Sequence, residues 1–328
     1  MQQFDVLGIG NALVDVLSHE TDTFVERMGL NRGAMTLIDE TRAHELYDAM
    51  GPGVEISGGS AANTIVGLAS FGARAGYLGK VRSDQLGEVF AHDIGSTGVV
   101  FQSPPAPDGP TTGRCLIVVT PDAQRTMNTY LGASAFLGPE DVDADMVAAA
   151  KVVYLEGYLW DRPEAKEAYR KAARIAHDAG NEVSLTLSDS FCVDRHRPEW
   201  RVLVEDEVDV LFANEHEICA LYECDFDVAM EAVRRDCRVA ALTRSERGSV
   251  IVAGDDTHTV PAHPVDRLVD TTGAGDLYAS GFLRGYTQGA ALDTCARLGS
   301  LAAAEVISHL GARPEANLAD LAGSVLAQ

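Results

Sequence analysis

The run Asp270-Thr271-Thr272-Gly273-Ala274-Gly275-Asp276 leads straight into an apolar stretch, residues 277–286. It reads as a glycine-rich turn that opens a helix, with a carboxylate at the junction. Gly273 and Gly275 lack a Cβ, so the backbone there can approach a ligand closely and adopt positive φ. Amides of residues 273–276 at a helix N-terminus, unpaired and aligned with the macrodipole, favour an anion. Asp276 is the odd member, because a carboxylate among anion-binding amides repels a phosphate. A general base for a hydroxyl is one reason to put it there. The chemistry this combination suits is phosphoryl transfer, the amides holding the moving group and Asp276 taking the acceptor's proton. An ordinary loop-to-helix junction has the same composition, since Asp is common in a first helical turn, so both readings stand at this point.

A second cluster lies near the N-terminus. Asn11 and Asp15 follow the apolar run 4–10, where an open α/β sheet places its ligand contacts. An ionised carboxylate such as Asp15 can accept two hydroxyl hydrogen bonds, which suits a polyol, although a turn carboxylate fits as well. In Gly58-Gly59-Ser60-Ala61-Ala62-Asn63 the glycines give backbone access at a helix start, and Asn63, one turn in, can donate to and accept from a sugar hydroxyl. Gly8 and Gly10 invite a dinucleotide reading, but Leu13 occupies the third glycine of G-x-G-x-x-G, so that fingerprint is incomplete. Asn214 and Glu217 share one helix face near its start, where they could organise water around a magnesium ion; a capping box explains the same pair.

These side chains need elements to hold them. Strand candidates at residues 4–10, 75–79, 99–101, 152–155, 182–187, 208–212 and 239–243 alternate with helix candidates at 60–70, 85–97, 140–150, 163–179, 198–206, 214–222 and 227–236. Continuous apolar strands between amphipathic helices predict a doubly wound, mainly parallel sheet covered on both faces. Its ligand-binding edge would carry Glu156, Ser188-Asp189, Asn214 to Glu217, and Thr243-Arg244. A hairpin over 247–261 and closing helices over 277–288 and 291–308 complete this body. Residues 14–18, 114–119 and 125–130 are strand-like without intervening helices, the later two set off by the stiff segment Pro104-Pro105-Ala106-Pro107-Asp108-Gly109-Pro110. They predict a small β-sheet lid built from about 12–38 and 111–130 on a single domain spanning 1–328.

Composition narrows the partners. The chain has 328 residues, 46% hydrophobic, with 26 Lys and Arg against 49 Asp and Glu, a formal charge of −23. Such acidity argues against nucleic acid and anionic membranes, and an anionic substrate would need local amides, arginines and a divalent cation to overcome it, helped by screening beyond about 10 Å. Met1 and Gln2 precede the first strand without a basic, apolar leader, and no apolar run approaches the ~20 residues of a membrane span. The six cysteines form no C-x-x-C pair and read as free thiols. The expectation is a cytoplasmic protein.

Four segments, in order, carry a family likeness: Gly58 to Asn63, Gly79-Lys80-Val81-Arg82-Ser83-Asp84-Gln85-Leu86-Gly87, Asn214-x-x-Glu217, and Asp270 to Asp276. Together they resemble the PfkB (ribokinase-like) carbohydrate kinase family. Residues 8–15 and the segment Asp122-Ala123-Gln124-Arg125-Thr126 are most similar to its adenosine-kinase-like branch. The resemblance implies a ribokinase-like α/β domain with a β-lid, and transfer of the ATP γ-phosphate to a primary hydroxyl of a small-molecule nucleoside, adenosine favoured, or a sugar. It implies Asp276 as base, the amides of Gly273, Ala274 and Gly275 as anion hole, and Arg125 reaching the phosphoryl group from the lid. Asn11, Asp15, Gly58, Gly59 and Asn63 would hold the acceptor. Asn214, Thr243 and Gly248 would meet ATP, although the loop 243–248 departs from the usual glycine-rich form. Glu217 would reach Mg2+ through water, and Asp270 and Thr272, with the loop near Gly311, would hold a monovalent cation such as K+. The chain has no G-x-x-x-x-G-K-[ST], which excludes a P-loop kinase. Alternatives are a ribokinase, fructokinase or ketodeoxygluconate-type sugar kinase and, outside the class, a non-catalytic binding protein on the same fold. Met35, Leu37 and Leu137 on an apolar lid face would favour a nucleobase. A lid-to-lid homodimer and a monomer are both compatible with the sequence.

Overall fold

The computed structural model describes residues 3–122 and 124–326; Met1, Gln2 and Ala123, named above, lie outside the described residues. The strands are β1 (Phe4–Ile9), β2 (Leu13–His19), β3 (Met35–Leu37), β4 (Gly53–Gly58), β5 (Ala75–Leu78), β6 (Val100–Phe101), β7 (Gly113–Val119), β8 (Arg125–Tyr130), β9 (Ala150–Glu156), β10 (Glu182–Thr186), β11 (Val210–Asn214), β12 (Val239–Thr243), β13 (Ser249–Ala253) and β14 (Asp256–Val260). The helices are α1 (Asp22–Arg27), α2 (Glu40–Ala49), α3 (Ser60–Ser70), α4 (Gln85–Ser96), α5 (Ala144–Ala148), α6 (Pro163–Asp178), α7 (Ser190–Glu207), α8 (Glu215–Tyr222), α9 (Phe226–Asp236), α10 (Ala274–Tyr286), α11 (Leu292–Val306) and α12 (Leu318–Leu326). None is long and apolar enough to cross a membrane.

Nine strands form one sheet in the order β14-β13-β12-β11-β10-β9-β1-β5-β6. It is parallel from β12 to β6, and β13 and β14 add an antiparallel edge. The strands are apolar throughout because both faces are covered. Successive side chains part to opposite faces: Leu7, Ile9, Val153 and Leu155 pack on one side with Trp160 and Trp200, while Val6, Val152 and Tyr154 pack on the other with Ile65, Phe212 and Phe282. Strand order reverses between β9 and β1, and such a switch point opens a crevice at the strands' carboxyl ends.

The helix expected over 198–206 is the second half of α7, which bends at His196 two residues before Pro198. A proline ring clashes with the preceding turn and removes an amide donor, so the chain can turn but need not stop.

β3-β8-β7-β2-β4 form the second sheet. It takes in β4, outside the ranges expected for the lid. β2 follows β1 after three residues, and β4 runs into α3 through Gly59. Its outer face, Val14, Val16, Leu116 and Val118, is covered by Phe24 and Val25 of α1 and Ala43 and Leu46 of α2. It is therefore not the bare sheet the sequence implies. Cys115, Ile117 and Met127 lie on the other face, towards the carboxyl ends of the large sheet.

α10 and α11 cross at reciprocal glycines: a Cβ on Gly281 would fall 2.3 Å from the Leu298 carbonyl oxygen, and one on Gly299 would fall 2.7 Å from that of Tyr278. Gly281→Ala would normally favour a helix by ~1 kcal/mol, but here it forces the helices apart, at a cost of ~1–3 kcal/mol. Urea unfolding of Gly281→Ala should therefore give a lower stability than the parent; a gain would mean that the crossing is loose.

Candidate active site

Gly273 caps α10 in the left-handed region, with φ 79°. A Cβ there would also lie 2.8 Å from the Ala312 Cα, so glycine is required twice over. Above Gly275, by contrast, an added Cβ meets nothing within 4 Å; its side-chain space is open to the cavity. Ala274 N–H is committed to the Thr271 carbonyl at 3.2 Å. Gly275 and Asp276 therefore carry the free amides of the first turn among the described residues.

Asp276 is part-buried at this terminus. Ser60 Oγ donates to it at 2.6 Å and Asn63 Nδ2 at 2.9 Å. Burial raises its pKa, while the Ser60 and Asn63 hydrogen bonds and the Arg313 charge oppose the rise. The result is a carboxylate more basic than an exposed one. Among the described residues the buried amide oxygen of Asn63 has no partner, which leaves a free acceptor in the cavity wall.

Across the cavity stands Asp15 of β2, its pKa pushed up to about 6, by burial above all. A Cβ on Gly58 would overlap its carboxylate at 2.4 Å; Gly59, at φ 107°, lies against the Asn11 carbonyl oxygen, where a Cβ would fall 2.2 Å away. Both glycines are sterically demanded here. Asn11 Nδ2 donates to Glu156 Oε1 at 2.6 Å and its Oδ1 accepts from Ser134 Oγ at 2.8 Å, so each end of the side chain has a bond within the protein. Asn11 orients the strand end and also lines the cavity, with a second amide N–H and a second lone pair beyond these bonds. Glu156, buried at the switch point, also accepts from Ala61 N at 2.8 Å in the first turn of α3, and its pKa is pushed up to about 7 by burial.

Arg125 of β8 forms an ion pair with Asp270, bridging the second sheet to the turn 270–276. Asp270 further accepts from Thr272 N at 3.0 Å, Thr272 Oγ1 at 2.7 Å and Gly311 N at 3.0 Å. Burial raises its pKa, but these donors and the guanidinium outweigh it and hold the carboxyl below the ordinary range. The expected K+ ligands are thus a carboxylate filled by donors, and a cation there would have to displace Arg125. Asn214 and Glu217 make the reciprocal capping box: Glu217 N donates to Asn214 Oδ1 at 2.9 Å, and Asn214 N and Nδ2 donate to Glu217 at 2.9 and 2.6 Å. Burial pushes Glu217 up to about 7. Among the described residues no three His, Cys, Asp or Glu side chains converge as a metal site, so Mg2+ would rely on nucleotide phosphates and water, its usual mode, with Glu217 as the wall carboxylate.

One cavity of about 1140 Å³ reaches from Asp15 past Asp276 to Asn214 and Thr243; Gly58 and Asp270 stand behind its lining. Gly248 does not line it. With φ 84° and a would-be Cβ 2.1 Å from the Val260 carbonyl oxygen, it answers a tight turn. Leu137 is in the core, 1% exposed, whereas Met35 and Leu37 are 49% and 54% exposed and do face the cavity. The sequence reading missed Ser60, Ser134 and Arg313. Ser60 sat inside the quoted motif; Ser134 and Arg313 lie in segments with no local signal.

The family model described as pfkB family carbohydrate kinase matches residues 29–318. A probable sugar kinase from Rhizobium etli is 52% identical, with a TM-score of 0.91 and coverage of 99% of each chain. The adenosine kinase from Sinorhizobium meliloti is 55% identical, with a TM-score of 0.90 over 98% of this chain and 99% of that one. The adenosine kinase of Saccharomyces cerevisiae is 28% identical over 330 residues, 92% of this chain and 94% of that protein.

Glu156 gives a stability test. Its folded pKa, about 7, lies above the ordinary 4.5. Its contribution is therefore full below about pH 4.5 and lost as pH rises through 7. Uncharged Glu156→Gln lacks this loss, so between pH 4.5 and 7.5 the parent should lose roughly 3 kcal/mol relative to the variant. Urea unfolding of both proteins across that range measures the difference; a constant gap would mean that Glu156 stays ionised.

Proposed function

Because the chain belongs to the pfkB family of carbohydrate kinases, an ATP-dependent class acting on nucleosides or sugars, we propose that it phosphorylates a primary hydroxyl of a nucleoside, adenosine above other acceptors. The observation that carries this reading is the placement of Asp276. One basic carboxylate stands at a helix N-terminus with open amides, with the free Asn63 oxygen beside it and Asp15 across the same cavity.

Asp15 and Asn63 hold the acceptor's hydroxyls, and Asp276 takes the proton of the one that reacts. As that oxygen bonds to the γ-phosphorus, the bond from that phosphorus to the β,γ-bridging oxygen breaks and ADP leaves; negative charge spreads over the phosphoryl oxygens, and the amides of Gly275 and Asp276 stabilise it. Arg125, held over the turn by Asp270, adds positive charge from the second sheet. Asn214 and Thr243 line the nucleotide end, where Glu217 would hold Mg2+ through water and the ion would supply neutralisation of phosphate charge. Positioning contributes most of the rate in such chemistry.

Adenosine is favoured by the apolar wall formed by Leu37, Ile117 and Met127, beside Met35 and Leu13. It offers a planar base burial that a free sugar cannot use. The 55% identical adenosine kinase supports the same acceptor. The probable sugar kinase keeps a second acceptor class open. An ADP-release screen of adenosine, other nucleosides, ribose, fructose and ketodeoxygluconate, with and without K+, tests the choice. Adenosine should give the highest kcat/KM; a sugar in first place overturns the acceptor proposed.

Asp276→Asn should keep ATP binding by calorimetry and lose turnover by at least about 10²-fold. Near-normal turnover would remove Asp276 from the role of base. Arg125→Ala should lower kcat more than it weakens ATP binding, because its charge matters as the second sheet closes. Steady-state kinetics that leave kcat unchanged would assign Arg125 to structure alone.

A further inference from the structure

Arg313 lies in the loop after α11, and its polar contacts are all to neutral groups. Nη1 donates to the Ala62 carbonyl oxygen at 2.9 Å, and Nη2 to the Ser57 carbonyl oxygen at 2.5 Å and to Ser57 Oγ at 3.1 Å. Among the described residues it forms no ion pair, in a chain whose formal charge is −23. Its two nitrogens grip the peptide units next to the two halves of the site. Ala62 precedes Asn63, whose side chain holds Asp276; Ser57 precedes Gly58, on which the Asp15 carboxylate rests. The same loop touches the catalytic turn twice more, through Gly311 N on Asp270 and Ala312 against Gly273.

We propose that Arg313 is a positioning residue whose charge, held without a direct ion pair on the backbone of α3 and β4 next to Asn63 and Gly58, favours the carboxylate forms of Asp15 and Asp276. Two carboxylates facing one cavity, with Glu156 beside them, otherwise favour protonation of one member. The groups around Arg313 are Asp15 from β2, Tyr77 from β5, Asp93 from α4 and Asp276 from α10. Asp93 is committed to Ser57 N at 2.7 Å and Ser57 Oγ at 2.6 Å. The second sheet adds Arg125, which also favours the charged form of Asp15. Glu156, Glu217, Tyr154 and Tyr158 face Asp276 from the large sheet and its helices, and Cys115 faces Asp15. Arg313 lowers the proton affinity of Asp15 and Asp276, each of which burial raises.

The proposal rests on Asp276 as the base and Asp15 as the acceptor's ligand. It is tested by the pH profile of kcat/KM for the parent, Arg313→Gln and Arg313→Lys, with adenosine as acceptor and thermal unfolding as a check of folding. In Arg313→Gln the acid limb should move up by about one pH unit, so that activity falls about tenfold below the limb and recovers above it. Arg313→Lys keeps the charge and should keep the parent limb even with a lower maximum. A pH-independent loss in Arg313→Gln, or a limb that moves equally in both variants, overturns the proposal. If Arg313→Gln does not fold, Arg313→Lys decides alone, because a shifted limb with the charge retained contradicts the electrostatic role. Failure of the underlying reading looks different: Asp276→Asn would then retain turnover, whatever the Arg313 variants do.

Discussion

A carboxylate withdrawn from water must be met by donors, and Asp276 is met from a different element, by Ser60 and Asn63 of α3. This obligation ties α10 to α3, and their packing accommodates it. Gly67 brings α3 so close that an added Cβ would lie 2.6 Å from Ser280 Oγ and 2.7 Å from Leu277. Glu156 holds the first turn of α3 from below through Ala61 N, and Asn11 links the same carboxylate to the end of β1. The switch point of the large sheet, the start of α3 and the start of α10 thus form one hydrogen-bonded unit. Its members are carboxylates with polar caps, so the geometry of the site and the retention of its charges are the same problem.

The parts legible in the sequence were those whose constraint is local. β1, β9, β11 and β12 are buried on both faces and read as plain apolar runs. The turn 270–276 showed itself because its glycines and acid stand together in one short segment, although Gly273 also answers to Ala312 and Asp276 to Ser60 and Asn63. β4 was missed because it is an edge strand, with glycine at both ends and only its last two residues buried, so it lacks both alternation and apolar content. α1 and α2 were missed because each buries only two residues, too few for a periodic signal.

Contacts made at long range left no trace in the sequence. Arg313 meets its partners 251 and 256 residues away, and nothing in the neighbouring residues marks it. Asn214 and Glu217 show a different limit. The spacing that places a wall carboxylate on a helix face is also that of a capping box, and in the fold one pair of side chains meets both descriptions. The bonds of Asn11 to Glu156 and Ser134 left no sign in the sequence, because they depend on strand ends that only the folded sheet brings together.

The direct passage from β4 into α3 has a mechanical consequence. Gly58 is pressed on Asp15 and Gly59 on the Asn11 carbonyl, so the joint between the two sheets is also the floor on which an acceptor would lie. A lever whose fulcrum is part of its load cannot swing freely. Tilting the second sheet displaces that floor, and filling the floor stiffens the fulcrum. The posture of the sheet and the fit of the acceptor are therefore one mechanical coordinate rather than two.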